Sequence, residues 1–134
     1  MTPVLLDTSI CAEAIGLRPD RLIRHFEDNH GSMHITPVTA ASLYQAARLT
    51  LGPDSLEDAF GQIDRFISQM DWVDGDFATV RLSSMYEMDS KTSISFQTAF
   101  NLRLAKASGL IYVASQEIAS DVPQALPGFD IAFW

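Results

Sequence analysis

The sequence predicts a three-layer α/β/α sandwich built on a short, mostly parallel sheet. Short apolar runs alternate with stretches whose apolar residues recur at helical spacing, the pattern of strand–helix–strand units. Turn signals are spread evenly, with no repeat, linker or low-complexity tract between them. The chain has 134 residues and a mass of 14.8 kDa, which suits one domain spanning residues 1–134.

Thr2 to Leu6 is short and apolar and reads as a buried strand. Asp7, Thr8 and Ser9 favour a helix start, and Ile10 to Ile15 follows as a short helix that Gly16 ends. Pro19 opens a second helix, Asp20 to Asn29, with Leu22, Ile23 and Phe26 as its apolar stripe and Gly31 at its C-cap. Met33 to Ile35 is a second strand. Thr36-Pro37 starts a helix in which Val38 to Leu51 carries Leu43, Ala46, Ala47 and Leu49 as one face. After Gly52-Pro53, Ser55 and Asp58 resemble a capping box for a helix from Leu56 to Met70, with Phe60, Ile63, Phe66 and Ile67 at helical spacing.

Trp72 and Val73 suggest a third strand, and Asp76 caps a helix running to about Met88. Lys91 to Ser93 is a polar loop. Ser95 to Ser108 is a helix stopped by Gly109, and Leu110 to Ala114 is the clearest strand in the chain. Asp121 to Gly128 is a loop with two prolines, and Phe129 to Trp134 is a closing strand. Right-handed crossovers between parallel strands put helices on both faces. Ligands in such sheets bind beyond the carboxyl ends of the strands. Asp7, Thr36, Asp74 or Asp76, and then Ser115, Gln116 and Glu117 stand at those ends.

Composition narrows the function classes. The 9 basic residues face 17 acidic ones, a net charge of −8, so binding of a nucleic-acid backbone is expected to be weak at best. The single Cys11 leaves no intrachain disulfide and reads as a core residue. The opening MTPVLLD lacks a basic leader, and no apolar run approaches a membrane span. A cytoplasmic protein without a membrane partner is the expectation. A Ser-His-Asp hydrolase lacks its nucleophile elbow here. His30 and His34 are separated by Gly31-Ser32, which breaks the helical spacing a metal pair would use. His25 and His30 are better read as favouring the C-terminal end of the second helix.

Four segments then fall into one register. LLDTSICAEAI resembles the opening of PIN domains of the VapC toxin type, in which a strand delivers Asp-Thr-Asn to a helix. HITPVTAASLYQAA resembles the family's second signature, ISFQTAFNLRLAKASGLIYVASQ the third, and PGFDIAFW the closing strand. The resemblance covers nearly the whole chain. It implies a ribonuclease fold in which a carboxylate cluster holds Mg²⁺ or Mn²⁺, a homodimer, and a small antitoxin whose C-terminal segment reaches over the active-site groove. It implies that Tyr44, Phe60 and Phe66 build a partner surface, beside the plainer reading of those aromatics as core.

Carried over residue by residue, the first family carboxylate is Asp7 and the neighbouring Asn is Ser9. The family Glu falls on Ser42, the next Asp on Thr98, and the last polar or acidic position near Ser115 or Gln116. No Asp or Glu lies between Gly31 and Gly52 or between Thr92 and Gln116, so a slip of register recovers nothing. Glu117 is the accessory acid to look for, with Asp121 behind it, while Glu13 lies more than a turn past Asp7 and is expected to point elsewhere. A divalent ion needs several converging oxygen ligands, and each lost anionic ligand weakens both its binding and its chemistry. The expectation is a degenerate site with no resident cofactor, in a domain retained for binding or interaction. The alternative is a residual Mg²⁺- or Mn²⁺-dependent endoribonuclease built on Asp7. Asp7 also has a structural role open to it, as the N-cap of the first helix.

Overall fold

The computed structural model describes residues 2–75, 78, 79, 81 and 94–134. The expected helix from Asp76 to Met88 and the loop from Lys91 to Ser93 lie outside the described residues, apart from helical backbone at 78, 79 and 81. The elements are β1 (Val4–Leu6), α1 (Thr8–Gly16), α2 (Asp20–Asp28), β2 (Met33–Ile35), α3 (Pro37–Thr50), α4 (Pro53–Ile67), β3 (Asp71–Trp72), α5 (Phe96–Ser108), β4 (Ile111–Ala114) and β5 (Ile131–Phe133).

The five strands form one sheet in the order β3-β2-β1-β4-β5, and every pairing is parallel. β1 is central. Leu5 pairs with His34 on one side and Tyr112 on the other, so the chain reverses its direction of growth between β1 and β4. That reversal opens a crevice at the carboxyl ends of these two strands.

Both faces of the sheet are covered, which is why β1 and β4 are apolar at consecutive positions. Val4, Leu6, Met33, Ile35 and Val113 pack with Ile10, Cys11, Leu22, Leu43 and Ile63 from α1 to α4. Leu5, Tyr112 and Ala114 point the other way, onto Phe100, Leu104 and Ala105 of α5. Cys11 is fully buried, and that burial together with the nearby Asp7 pushes its thiol well above the usual range. It behaves as a small apolar side chain.

Several boundaries and faces differ from the sequence reading. α4 begins at Pro53 with Gly52 as N-cap and no side-chain cap, so Ser55 and Asp58 lie inside the helix and form no capping box. Proline at the first helical position supplies the start, since its missing N–H is not needed there. Leu49 is 70% exposed, because six residues along the helix place it about 120° around from Leu43. The buried face of α3 is Thr39, Ala40 and Leu43. Ile23 is exposed beside buried Leu22, which narrows the α2 stripe to Leu22 and half-buried Phe26. β3 covers Asp71 and Trp72 and not Val73.

The first helix ends at Gly16, where the sequence reading places its end, but the left-handed residue comes later. Gly16 is the last helical residue, Leu17 is the C-cap, and Arg18 follows with φ 46. The amides of Leu17 and Arg18 both donate to the carbonyl of Glu13, at 2.9 and 3.2 Å. Arg18 therefore occupies the left-handed position after a helix that glycine usually fills. An L side chain there costs about 1 kcal/mol, and Pro19 further disfavours it by restricting the residue before it. Gly109 closes α5 with φ 69, where the conformation suits the residue.

Candidate functional site

Asp7 leaves β1 and caps α1. Its Oδ2 accepts from the Ser9 amide at 3.0 Å and the Ser9 hydroxyl at 2.6 Å. Its Oδ1 accepts from the Tyr112 hydroxyl, which rises from the neighbouring strand. Asp7 is only 5% exposed. Burial and the Asp7 carboxylate hold the Tyr112 phenol well above its ordinary pKa, so it stays a donor.

The network continues on both sides. The Asn101 amide reaches Thr39 Oγ1 at 2.9 Å and lies 3.5 Å from the Tyr112 hydroxyl, while its carbonyl accepts from Thr36 at 2.7 Å. On the other side, the Ser115 amide donates to Ser9 Oγ at 3.0 Å, and Ser115 Oγ donates to Glu13. Ser115 Oγ also accepts from the amides of Glu117 and Ile118, at 3.0 and 2.9 Å, which fixes the turn after β4. Arg21 of α2 completes the row, donating to Glu13 at 2.7 Å and to the Trp134 carbonyl at 2.9 Å. The Arg21 guanidinium, assisted by Ser115, holds the Glu13 carboxyl below its usual value against the opposing effect of burial.

Above Asp7 lies a cleft of about 320 Å³ bordered by Thr8, Ser9, Gln97, Thr98 and Asp121. Thr98 lines this cleft, and Ser42 stands behind Gln97. Ser42 donates to the Gln97 side-chain carbonyl at 2.9 Å, and the Gln97 amide donates to Thr8 at 2.5 Å, a neutral bridge from α3 through α5 to α1. Thr98 donates to Asp121 Oδ1 at 2.5 Å, and the Ser95 amide donates to Asp121 Oδ2 at 2.5 Å. The accessory acid at this cleft is thus Asp121. Glu117 borders a separate concavity with Ser115, Gln116 and Gln124.

The structure brings Asp7, Ser9 and Thr98 around one cleft, with Ser42 joined to it through Gln97. Ser115 lies beneath it, Gln116 and Glu117 beside it. Tyr112, Asn101 and Gln97 were not anticipated as part of it. A phenol inside an otherwise apolar strand and an amide inside the buried stretch Phe100–Ala105 were the available signals, since buried polar groups require partners. His34 sits on β2 with its Nδ1 3.1 Å from the Val4 carbonyl, and His25 stacks on Trp134 at 4.6 Å.

A divalent cation needs several oxygen ligands with free lone pairs converging on one point. Among the described residues no three His, Cys, Asp or Glu side chains converge. The oxygens of Asp7 and Asp121 already accept from protein donors. The donor set among the described residues does not fit such an ion. Tyr112→Phe should cost about 2 kcal/mol of stability, because Asp7 Oδ1 loses its donor in a buried position. Urea unfolding of the variant beside the parent measures that loss.

A second concavity of about 300 Å³ lies between α1, α2 and α4. Its lining is mainly apolar, with Ala14, Ile15, Leu22, Phe26 and Phe66. Arg18 and Arg65 border it from separate elements.

The all-parallel order, the helices on both faces and the crevice at Asp7 define a PIN-type α/β/α fold. Chains of toxin–antitoxin structures share this fold. One is DNA-bound VapBC from Salmonella typhimurium, at TM-score 0.82 and 23% identity, covering 100% of this chain and 99% of that one. Another is VapBC2 from Rickettsia felis bound to a promoter DNA fragment, at TM-score 0.79 and 17% identity, covering 99% of each chain. FitAcB from Neisseria gonorrhoeae follows at TM-score 0.64 and 17% identity, covering 83% of this chain and 86% of that one. No protein-family model matches the sequence. No curated protein matches it either. Among the described residues no helix is long and apolar enough to cross a membrane.

Proposed function

We propose that this chain is a single VapC-like domain that binds a partner protein and has no metal-dependent nuclease activity. The observation that carries the reading is the state of Asp7, whose two oxygens are taken up by Ser9 and Tyr112. The family's acidic positions are hydroxyls here: Ser42 donates to the Gln97 side-chain carbonyl and Thr98 to the Asp121 carboxylate. Loss of anionic ligands and charge-stabilising groups commonly costs about 100-fold or more in rate for each group, and two are neutral here. In this reading Ser9, Ser42, Thr98, Ser115 and Gln116 are remnants of a catalytic site, and neither Mg²⁺ nor Mn²⁺ is a cofactor.

The partner is an antitoxin-like protein, and the apolar groove between α1, α2 and α4 is where its segment docks. VapBC and FitAB, the structural neighbours, are toxin–antitoxin complexes, which supports a protein partner. Tyr44 and Phe60, in edge contact at 4.9 Å, make the α3–α4 face a candidate for pairing with a second copy. A cytoplasmic location fits this assembly.

The second reading, a residual ribonuclease, is favoured by one observation: Asp121 borders the same cleft as Asp7. An RNA cleavage assay in Mg²⁺ and in Mn²⁺ separates the two. The expected result is no cleavage above a no-protein control. Cleavage that requires the metal and disappears in Asp7→Ala would overturn the proposal and establish the second reading.

A further inference from the structure

The groove between α1, α2 and α4 carries a chemical specificity of its own, and the inference rests on its being the docking surface. The chain has a net charge of −8 and only 9 basic residues, yet two arginines border this one apolar concavity. Arg18 comes from the turn after α1 and Arg65 from α4. Among the described residues neither is in an ion pair. Arg18 also sits in left-handed backbone with φ 46 and precedes a proline, a position that glycine would occupy without strain. Strain of this kind marks a side chain whose role outweighs local comfort. The flanking surface is apolar: Leu17 is 71% exposed and Ile23 45%.

We propose that the groove takes a helical segment of a partner protein whose apolar ridge is flanked by acidic residues, and that Arg18 and Arg65 read those acids. The lining residues Leu22 and Phe26 are one turn apart on α2, as are Gln62 and Phe66 on α4. Such rows receive apolar side chains presented at i, i+3 and i+4 by an incoming helix. A carboxylate on either side of that ridge meets a guanidinium whose five N–H donors suit it. A basic helix of the same shape meets like charge instead.

The test uses two designed peptides of about 14 residues, long enough for partial helicity. They share a Leu ridge at helical spacing and differ only in Glu or Lys flanks. Binding is read by fluorescence anisotropy, and the contact surface by amide shifts at Ile15, Ile23 and Phe26. The Glu peptide should bind at least about tenfold more tightly than the Lys peptide, with the difference shrinking as salt rises past about 0.3 M. Arg18→Glu with Arg65→Glu should reverse the preference. Arg18→Gly should keep or raise Tm while weakening the Glu peptide several-fold, an outcome that a purely structural Arg18 would not produce. Equal binding of both peptides, binding by neither, or amide shifts confined to another surface would overturn the inference. The cleavage assay does not depend on either arginine, so its outcome judges the nuclease question separately.

Discussion

Glu13→Gln should lower the unfolding free energy by about 2–3 kcal/mol at neutral pH, near the low end for a broken buried ion pair because Arg21 reaches solvent. Glu13 is 2% exposed, joins Ser115 to Arg21, and through Arg21 ties α2 to the carbonyl of Trp134. The amide variant keeps the volume and loses the charge that pairs with the guanidinium. The same substitution should change how stability depends on acid. The folded-state pKa of Glu13 lies below its ordinary value of 4.5, chiefly because Arg21 donates to it. The unfolded chain therefore takes up the proton first as pH falls. The carboxylate's contribution is complete above the ordinary value and is lost as pH drops through the folded one. The gap between parent and variant should be widest at neutral pH and close in acid. Urea unfolding at a series of pH values measures it. A gap that stays constant into acid would mean that the charge of Glu13 contributes nothing and only its shape matters.

Restoring negative charge to the cleft should create a metal site where the parent has none. Ser42→Glu with Thr98→Asp adds one carboxylate on the wall of the cleft that holds Asp7 and Asp121 and a longer one behind Gln97 that reaches toward it. Without metal the double variant should be less stable than the parent, since Asp121 loses the Thr98 donor and gains a like charge beside it. Mn²⁺ relieves that repulsion. Saturation to about 100 times the dissociation constant returns about 2.7 kcal/mol. The parent should show no rise in Tm with Mn²⁺, and the double variant a rise that saturates. A saturating rise in the parent would mean that Asp7 and Asp121 already hold the ion. Absence of a rise in the double variant would mean that the neutral positions are not what prevents binding.

These two experiments address residues that differ in how legible they were. Asp7 could be located from its place after the first strand, because parallel sheets collect the residues after each strand at one edge, whereas Ser42 and Thr98 were placed by the resemblance to the family's signatures. The same logic led to Glu117, in the turn that follows β4, yet Asp121 is the acid that reaches Thr98. The difference arises at Ser115, whose hydroxyl accepts from the amides of Glu117 and Ile118 and bends the chain there. The placing of that turn was not legible in the sequence, because Ser115 meets its two acceptors, Ser9 Oγ and Glu13, only when α1 lies across β4. Tyr112 was read as a strand residue, correctly, but the target of its hydroxyl depends on the pairing of β4 beside β1.

Local chemistry in the chain was enough to determine the alternation of strands and helices, the burial on both sheet faces and the scarcity of acid at the expected catalytic positions. Propensity, proline and glycine placement and apolar period act over a few residues, so they survive in the linear order. Only the tertiary structure decided that Asp7 spends both oxygens on internal donors, that Asp121 takes the place beside Thr98, and that Arg18 and Arg65 meet at one groove. Those are contacts between distant segments, set by how the helices pack on the sheet, and no local rule of spacing encodes them.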